Sequence, residues 1–252
     1  MSSLWNTIIY QPIYNILVFI VNNVTFGDIG FAIIIVTIIV KLALSPLTKK
    51  SIRSQILMKK MEPEMKQIKK DYADNKEEQA KKTFELYKKY GTNPFSGCLV
   101  VLIQLPVIFA LYYVFLKDFS LDHSLIYSFI KIPENIHTNF LGLIELGGKS
   151  KSLILALLAG GTQFLQGYLA SPLRNGKQKV GDVEVIKSGE QKSFQDELSD
   201  SMQMNVKYIL PIFIGFISWK ISAAIALYFV ISNIFTIVQE WYIRRTLENK
   251  VI

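Results

Sequence analysis

The stretch Phe31–Thr48, FAIIIVTIIVKLALSPLT, is a near-continuous apolar run with one cation, Lys41, set inside it. A run of about 18 apolar residues is long enough to enter a bilayer. A lysine at the centre of such a helix costs roughly 2.5 to 3.5 kcal/mol to insert. The ammonium therefore either reaches water at the nearer membrane face or occupies a wet cavity supplied by the protein. At 1.5 Å rise per residue, Lys41 lies about 10 Å from the polar end of the run, so snorkelling relieves part of the cost. On that count anchor and cavity stand level. Thr37 precedes Lys41 by four residues and shares its helix face, which tips the balance toward a cavity: a polar stripe there runs deeper than a snorkel needs.

The rest of the composition agrees with a membrane setting. Half of the 252 residues are hydrophobic and 19% are charged, a balance that suits a polytopic membrane protein better than a soluble domain. The net charge of +8 would point to nucleic acid if the cations formed one patch on a soluble fold. Here they gather between apolar segments, which is the membrane pattern. The lone cysteine, Cys98, lies inside an apolar run, so neither an intrachain disulfide nor a zinc spacing is expected. No cysteine follows the first hydrophobic stretch and MSSLWNTIIYQP lacks a basic n-region, so neither a lipoprotein signal nor a cleavable secretory signal is evident.

The expected fold is an all-α polytopic membrane protein: five transmembrane helices, an N-terminal interfacial helix and a cytoplasmic helical hairpin. Residues 1–28 hold the apolar segment Leu4–Val21, interrupted by Asn6, Gln11, Pro12 and Asn15. Polar residues on every turn favour a helix lying along the membrane and bent at Pro12, over a full span. The first span covers 29–48, with Pro46 marking where it bends or stops. The second covers 94–116, the third 152–170, the fourth 206–219 and the fifth 221–242. Gly160 and Gly161 in the third span permit close helix approach. An outer loop at 117–151 includes an expected interfacial helix around Leu125–Ile130. The loop at 171–205 carries a candidate strand at Lys179–Ile186, and a basic tail occupies 243–252.

Between the first two spans, residues 49–93 turn Lys- and Glu-rich. Met58, Met61, Met65, Ile68 and Tyr72 follow one another in steps of three and four, a helical seam. Ala80, Phe84 and Tyr87 repeat the spacing after a polar turn. An antiparallel hairpin closes this seam on itself, with Pro63 kinking its first arm or opening that arm's second half. Its many lysines, the basic second loop and the basic tail contrast with the cation-poor outer loop. The positive-inside rule then places the N-terminus outside and the hairpin, the 171–205 loop and the C-terminus in the cytoplasm.

Nothing in the chain resembles an enzyme. It has no glycine-rich phosphate loop, no His/Glu metal pair and no nucleophile with a nearby base, so no cofactor or metal is expected. His123 and His137 both fall in the outer loop, where a surface role is the default. The spans carry a sparse polar set instead: Thr37, Lys41, Gln104, Thr162, Gln163, Gln166, Ser232, Asn233 and Gln239. For any single Ser, Thr or Gln, an interhelical hydrogen bond is the plain reading.

Three runs carry a resemblance. Thr37-Ile-Ile-Val-Lys41 with Ser45-Pro46-Leu47-Thr48 resembles the first core helix of the YidC/Oxa/Alb membrane-protein insertases. Asn93-Pro94-Phe-Ser-Gly97-Cys98, running on to Gln104-Leu-Pro106 and Ala110-Leu-Tyr112-Tyr113, is similar to their next span. Leu227-Tyr228-Phe229 with Ser232-Asn233 and Gln239 is similar to their last core helix. The span order and the basic hairpin fit as well. Lys41 stands where the family usually has Arg, which keeps the charge and loses the planar fork. Ser222-Ala223-Ala224 replaces the usual Pro-Ala-Gly. The chain is nearer the minimal five-span form than the Gram-negative members with a large periplasmic domain.

The resemblance implies a groove open to cytoplasm and lipid and closed outward. Its residues would be Lys41, Thr37, Gln104, Gln163, Gln166, Phe229 and Asn233, with Met58, Met61, Met65, Phe84 and Tyr87 in the hairpin arm that receives the nascent segment. It implies a bacterial cell-membrane location, with nascent membrane proteins of one or two spans, the ribosome and the lipid bilayer as partners and the Sec translocon as a candidate partner. A transporter or channel would need a water path across the whole bilayer and usually an internal repeat, and no repeat is found. A non-catalytic assembly partner would keep the spans without needing Lys41.

Overall fold

The computed structural model describes residues 5–93, 96–116, 123–133, 135–147, 150–170 and 205–251. The candidate strand at Lys179–Ile186 and nearly all of the 171–205 loop lie outside the described residues, as do Pro94 and the side chain of Cys98. Seven α-helices are described: α1 Gln11–Asn23, α2 Ile29–Asp71, α3 Lys76–Tyr90, α4 Ser96–Leu116, α5 Leu153–Ala170, α6 Leu210–Lys220 and α7 Ala223–Val251. Single π-helical turns, Asn6–Tyr10 and Asn205–Ile209, lead into α1 and α6. Two of the helices, α2 and α7, are long and apolar enough to cross a membrane. Shorter apolar helical segments run over Gln104–Phe115 and Leu153–Leu169.

Helix α2 begins where Asp28 accepts a hydrogen bond from the Phe31 amide at 3.0 Å, a cap worth about 1 kcal/mol. It then runs unbroken for 43 residues, so the expected stop at Pro46 is absent and Pro63 also lies inside the helix. Each proline removes one backbone donor, but the helix is held on either side of both. Before Pro46 it packs in the bundle, between the prolines Gln55 accepts from the Arg244 side chain of α7 at 3.1 Å, and beyond Pro63 it is clasped by α3.

The N-terminal segment packs differently from expectation. Tyr10, Ile13, Tyr14, Leu17, Val18 and Val21 recur at helical spacing and are buried, against α2 and α4. Pro12 stands at the start of α1, directly after the π-helical turn Asn6–Tyr10. The polar residues are satisfied inside the fold. Asn15 donates to the carbonyls of Gln11 and Leu125, both at 2.8 Å, and accepts from the Tyr127 amide at 2.8 Å; Gln11 also donates to Leu125. Those bonds explain why no helix forms around Leu125–Ile130: side chains satisfy that backbone, and only a 3₁₀ turn at His123–Leu125 remains.

A β-hairpin that sequence reading missed, β1 Asn139–Phe140 and β2 Ile144–Glu145, pairs Phe140 with Ile144. Phe140 lies directly over Gly30, so that any Cβ at position 30 would drive into its ring. The backbone of His137 bonds both Gly27 and Ile29, pinning this segment to the start of α2. Beneath it the bundle is solid: Ile29, Ile33, Val36, Leu111, Val114 and Phe115 are buried together.

Helices α5 and α6 touch through glycines. A Cβ on Gly160 would meet the Pro211 carbonyl oxygen at 3.2 Å and Gly215 Cα at 3.5 Å, whereas one on Gly161 would meet nothing within 4 Å. Only Gly160 serves the expected close approach.

The 49–93 segment forms two antiparallel arms, α2's second half and α3. Asn75 caps α3 by accepting from the Glu78 amide at 3.1 Å. Met61 is buried, as the seam requires, but on α3 the buried residues are Gln79, Thr83 and Leu86 rather than Ala80, Phe84 and Tyr87. Phe84 is 57% exposed. Gln79 sets this rotation by donating to the carbonyls of Lys69 and Tyr72 at the turn, and Thr83 donates to the Met65 sulfur at 3.7 Å. A polar side chain, invisible to an apolar count, fixes the register.

Candidate functional site

The half of the bundle away from the β-hairpin is hollow. A cavity of about 570 Å³ opens between α2, α4, α5, α6 and α7. Its floor is apolar, from residues such as Ile108, Ile217 and Ile225, and its polar groups converge on one side. The hollow exists because polar residues line successive turns here: Lys41 and Thr48 on α2, Gln104 on α4, Gln163 and Gln166 on α5. On α7, Ser232, Thr236 and Gln239 do the same at spacings of four and three, one face of a helix.

Lys41 projects into this space. Its ammonium donates to Gln104 Oε1 at 3.2 Å and to Thr236 Oγ1 at 3.0 Å. Gln104 donates its amide onward to the Tyr228 hydroxyl, and Thr236 donates to the Ser232 carbonyl at 2.8 Å. Every acceptor is neutral, and among the described residues no carboxylate pairs with Lys41. Neutral dipoles do not neutralise a half-buried cation, whereas an ion pair would cancel its charge toward an incoming anion. Three donor protons and two described acceptors leave the ammonium with capacity to spare.

The cavity brings together Lys41, Gln104, Gln163, Gln166, Phe229 and Asn233 of the expected groove set. Phe229 tilts against Tyr228, ring centroids 5.4 Å apart. Asn233 also works as a strut, donating to Thr162 Oγ1 at 3.1 Å and so joining α7 to α5. Thr37 is not in the group. It is 1% exposed, and its hydroxyl donates to the Ile33 carbonyl of its own helix at 2.6 Å. A threonine can satisfy itself one turn back, so the Thr37–Lys41 pair does not form a polar stripe along the cavity. Tyr228 and Thr236, two members of the Lys41 network, were missed as site residues. The four-residue step from Ser232 to Thr236 is the signal that could have found the second.

Below the cavity, Glu240 is 8% exposed and accepts from Arg244 at 2.7 Å, while Arg244 also reaches Gln55. This clamp fixes the end of α7 to α2 where the hairpin arm begins. In the arm, Glu64 accepts from Lys89 at 2.6 Å and from the Tyr90 hydroxyl. The Lys89 hydrogen bond first, and that of Tyr90 second, hold the Glu64 carboxyl below its ordinary value, and the same contact raises Lys89. Among the expected arm residues Met61 is buried and Met58, Met65 and Tyr87 half-buried.

Residues 20–250 match the family model described as 60Kd inner membrane protein. The chain is 33% identical over 244 residues to a protein of Pelobacter propionicus named membrane protein insertase YidC, covering 96% of this chain and 39% of that one. It is 31% identical over 247 residues to the protein of that name in Actinobacillus pleuropneumoniae serotype 3, covering 98% and 38%. For the Hahella chejuensis protein of the same name the figures are 31% over 246 residues, 97% and 36%. The chain thus spans about two fifths of the length of these relatives. The match over nearly all of its residues makes the chain a member of the 60Kd inner membrane protein family.

Proposed function

We propose that the chain is a membrane protein insertase and chaperone, working without nucleotide or metal. In this reading five segments span the bilayer: the first part of α2, then α4, α5, α6 and α7. The N-terminus lies outside; the hairpin and the basic tail lie in the cytoplasm, by the positive-inside rule. The observation that carries it is the Lys41 ammonium, set in a 570 Å³ hollow on neutral acceptors alone. The names of the relatives support the same activity.

The hollow on the hairpin side shortens the hydrocarbon distance that a substrate's outer tail must cross. Lys41 attracts acidic residues of that tail, an attraction stronger in a low-dielectric site than in water. The apolar segment then leaves sideways along α2, α4 and α7 into lipid, driven by burying its surface at about 25 cal/mol per Å². The membrane potential adds to the pull on acidic tails. The hairpin receives the nascent segment, from the ribosome or in concert with the Sec translocon.

Purified protein in liposomes, given a small single-span substrate with an acidic tail, tests this. Wild type and Lys41→Arg should insert it, and Lys41→Leu should insert it roughly tenfold more slowly, the equivalent of about 1.4 kcal/mol. Equal insertion by Lys41→Leu removes the charge from the mechanism. A steady ion conductance without insertion points to a channel instead.

A further inference from the structure

A second cavity, also about 570 Å³, lies between α5 and α6 and shares no lining residue with the first. Leu157, Gly161, Phe164, Ile212 and Phe216 make its walls apolar. Gly160 and Gly215 set its floor, and the missing side chain of Gly161 leaves open space above it. At one mouth Lys207 holds its ammonium 5.0 Å from the Tyr168 ring of α5 and 5.3 Å from the ring of Tyr208. That cation therefore touches one ring on α5 and the lining ring of Tyr208. Lys220, at the far end, sits over Trp219 and Phe216, both of its own helix. Neither lysine pairs with a carboxylate among the described residues.

We infer that this crevice binds one anionic phospholipid, its phosphate on Lys207 and one acyl chain along the α5–α6 seam. The dimensions favour a lipid tail over a protein segment. Tyr208 to Trp219 is about 16 Å of helix, a length that one extended acyl chain can follow from a headgroup at Lys207. A helix about 10 Å across would fill the volume in little more than one turn, whereas an extended chain lies along it. Lys207, with no carboxylate partner among the described residues, supplies the complementary charge. The inference rests on the membrane-spanning reading and not on insertase activity.

Native mass spectrometry of the full chain, titrated with phosphatidylglycerol or phosphatidylcholine of matched chains, tests it. One phosphatidylglycerol should be retained in preference to phosphatidylcholine. Lys207→Gln should weaken that retention about fivefold, the effect of one cation near an anionic headgroup, and Lys220→Gln should leave it unchanged. Gly161→Leu should abolish it at an unaltered melting temperature, because a Cβ there meets nothing within 4 Å and the side chain enters the crevice. Equal retention of both lipids, or retention indifferent to both Lys207→Gln and Gly161→Leu, overturns the site. Displacement of the lipid by inorganic phosphate alone also overturns it, in favour of a free-anion site. No retention of phosphatidylglycerol by the wild-type chain, with liposome insertion intact, would sink this inference and leave the proposed function standing.

Discussion

Lys41 is a charge whose position is set by its neighbours. Gln104 and Thr236 each remove one direction in which the ammonium could swing, and Tyr228 holds Gln104 in turn. A hydrogen bond to a charged group contributes about 1.5 to 3 kcal/mol. Gln104→Leu should therefore slow insertion of acidic-tailed substrates by several-fold in the liposome assay, and Thr236→Val likewise. Thr37→Val should stay within about twofold of wild type, because the Thr37 hydroxyl is satisfied by its own helix and lies outside the cavity. A Thr37→Val loss as large as that of Gln104→Leu would mean that the polar face extends deeper than the cavity described. Lys41 was legible in the sequence because a cation inside an apolar run must be explained. Thr37 misled for a local reason: shared helix face does not decide whether a hydroxyl points outward or bonds one turn back.

At the level of the elements, apolar periodicity located each helix but not its ends or its rotation. Of the bend or stop expected at Pro46, the stop failed because contacts on both sides of the proline keep α2 helical through it. The α3 seam was displaced by one residue because Gln79, a polar side chain, anchors the turn. Phe140 over Gly30 depends on a contact between segments more than a hundred residues apart, which no local pattern contains. Two predictions belong here. Gly160→Leu should lower the melting temperature, costing about 1 to 3 kcal/mol by overpacking the α5–α6 contact, while Gly161→Leu should not. The arm contact among Glu64, Lys89 and Tyr90 sets a pH window. The Glu64 carboxyl is held below its ordinary value of 4.5, so its contribution is complete above 4.5 and fades as the pH falls through the lower folded value. Lys89 is raised above 10.5, so its contribution is complete below 10.5 and fades as the pH rises through the higher folded value. Spin-label distances between α2 and α3 should be constant between those limits and broaden outside them; broadening already at neutral pH would show that the contact does not hold the arm. Lys89 is exposed and Glu64 partly so, and the effect should shrink as salt is added.

Over the whole molecule, one half of the bundle is packed solid under the β-hairpin and the other half is hollow around a cation. The basic composition of 49–93 and of the tail was readable as a sidedness signal, and it lies on the hollow side. A cavity at Lys41 was expected from the sequence, but its lining was not fully readable, because it needs five helices brought together at particular rotations, with the polar residues spread unevenly over four of them. The proposed reading of an inward-open, outward-closed device requires such an asymmetry, since water admitted from one face must stop at the solid half. The most direct measurement of that claim is sided labelling of position 41. With Lys41→Cys in a Cys98→Ser background, a membrane-impermeant thiol reagent should modify position 41 from the cytoplasmic face of sealed vesicles and not from the outer face. Modification from the outer face, or from neither, would contradict a hydrated cavity open to the cell interior.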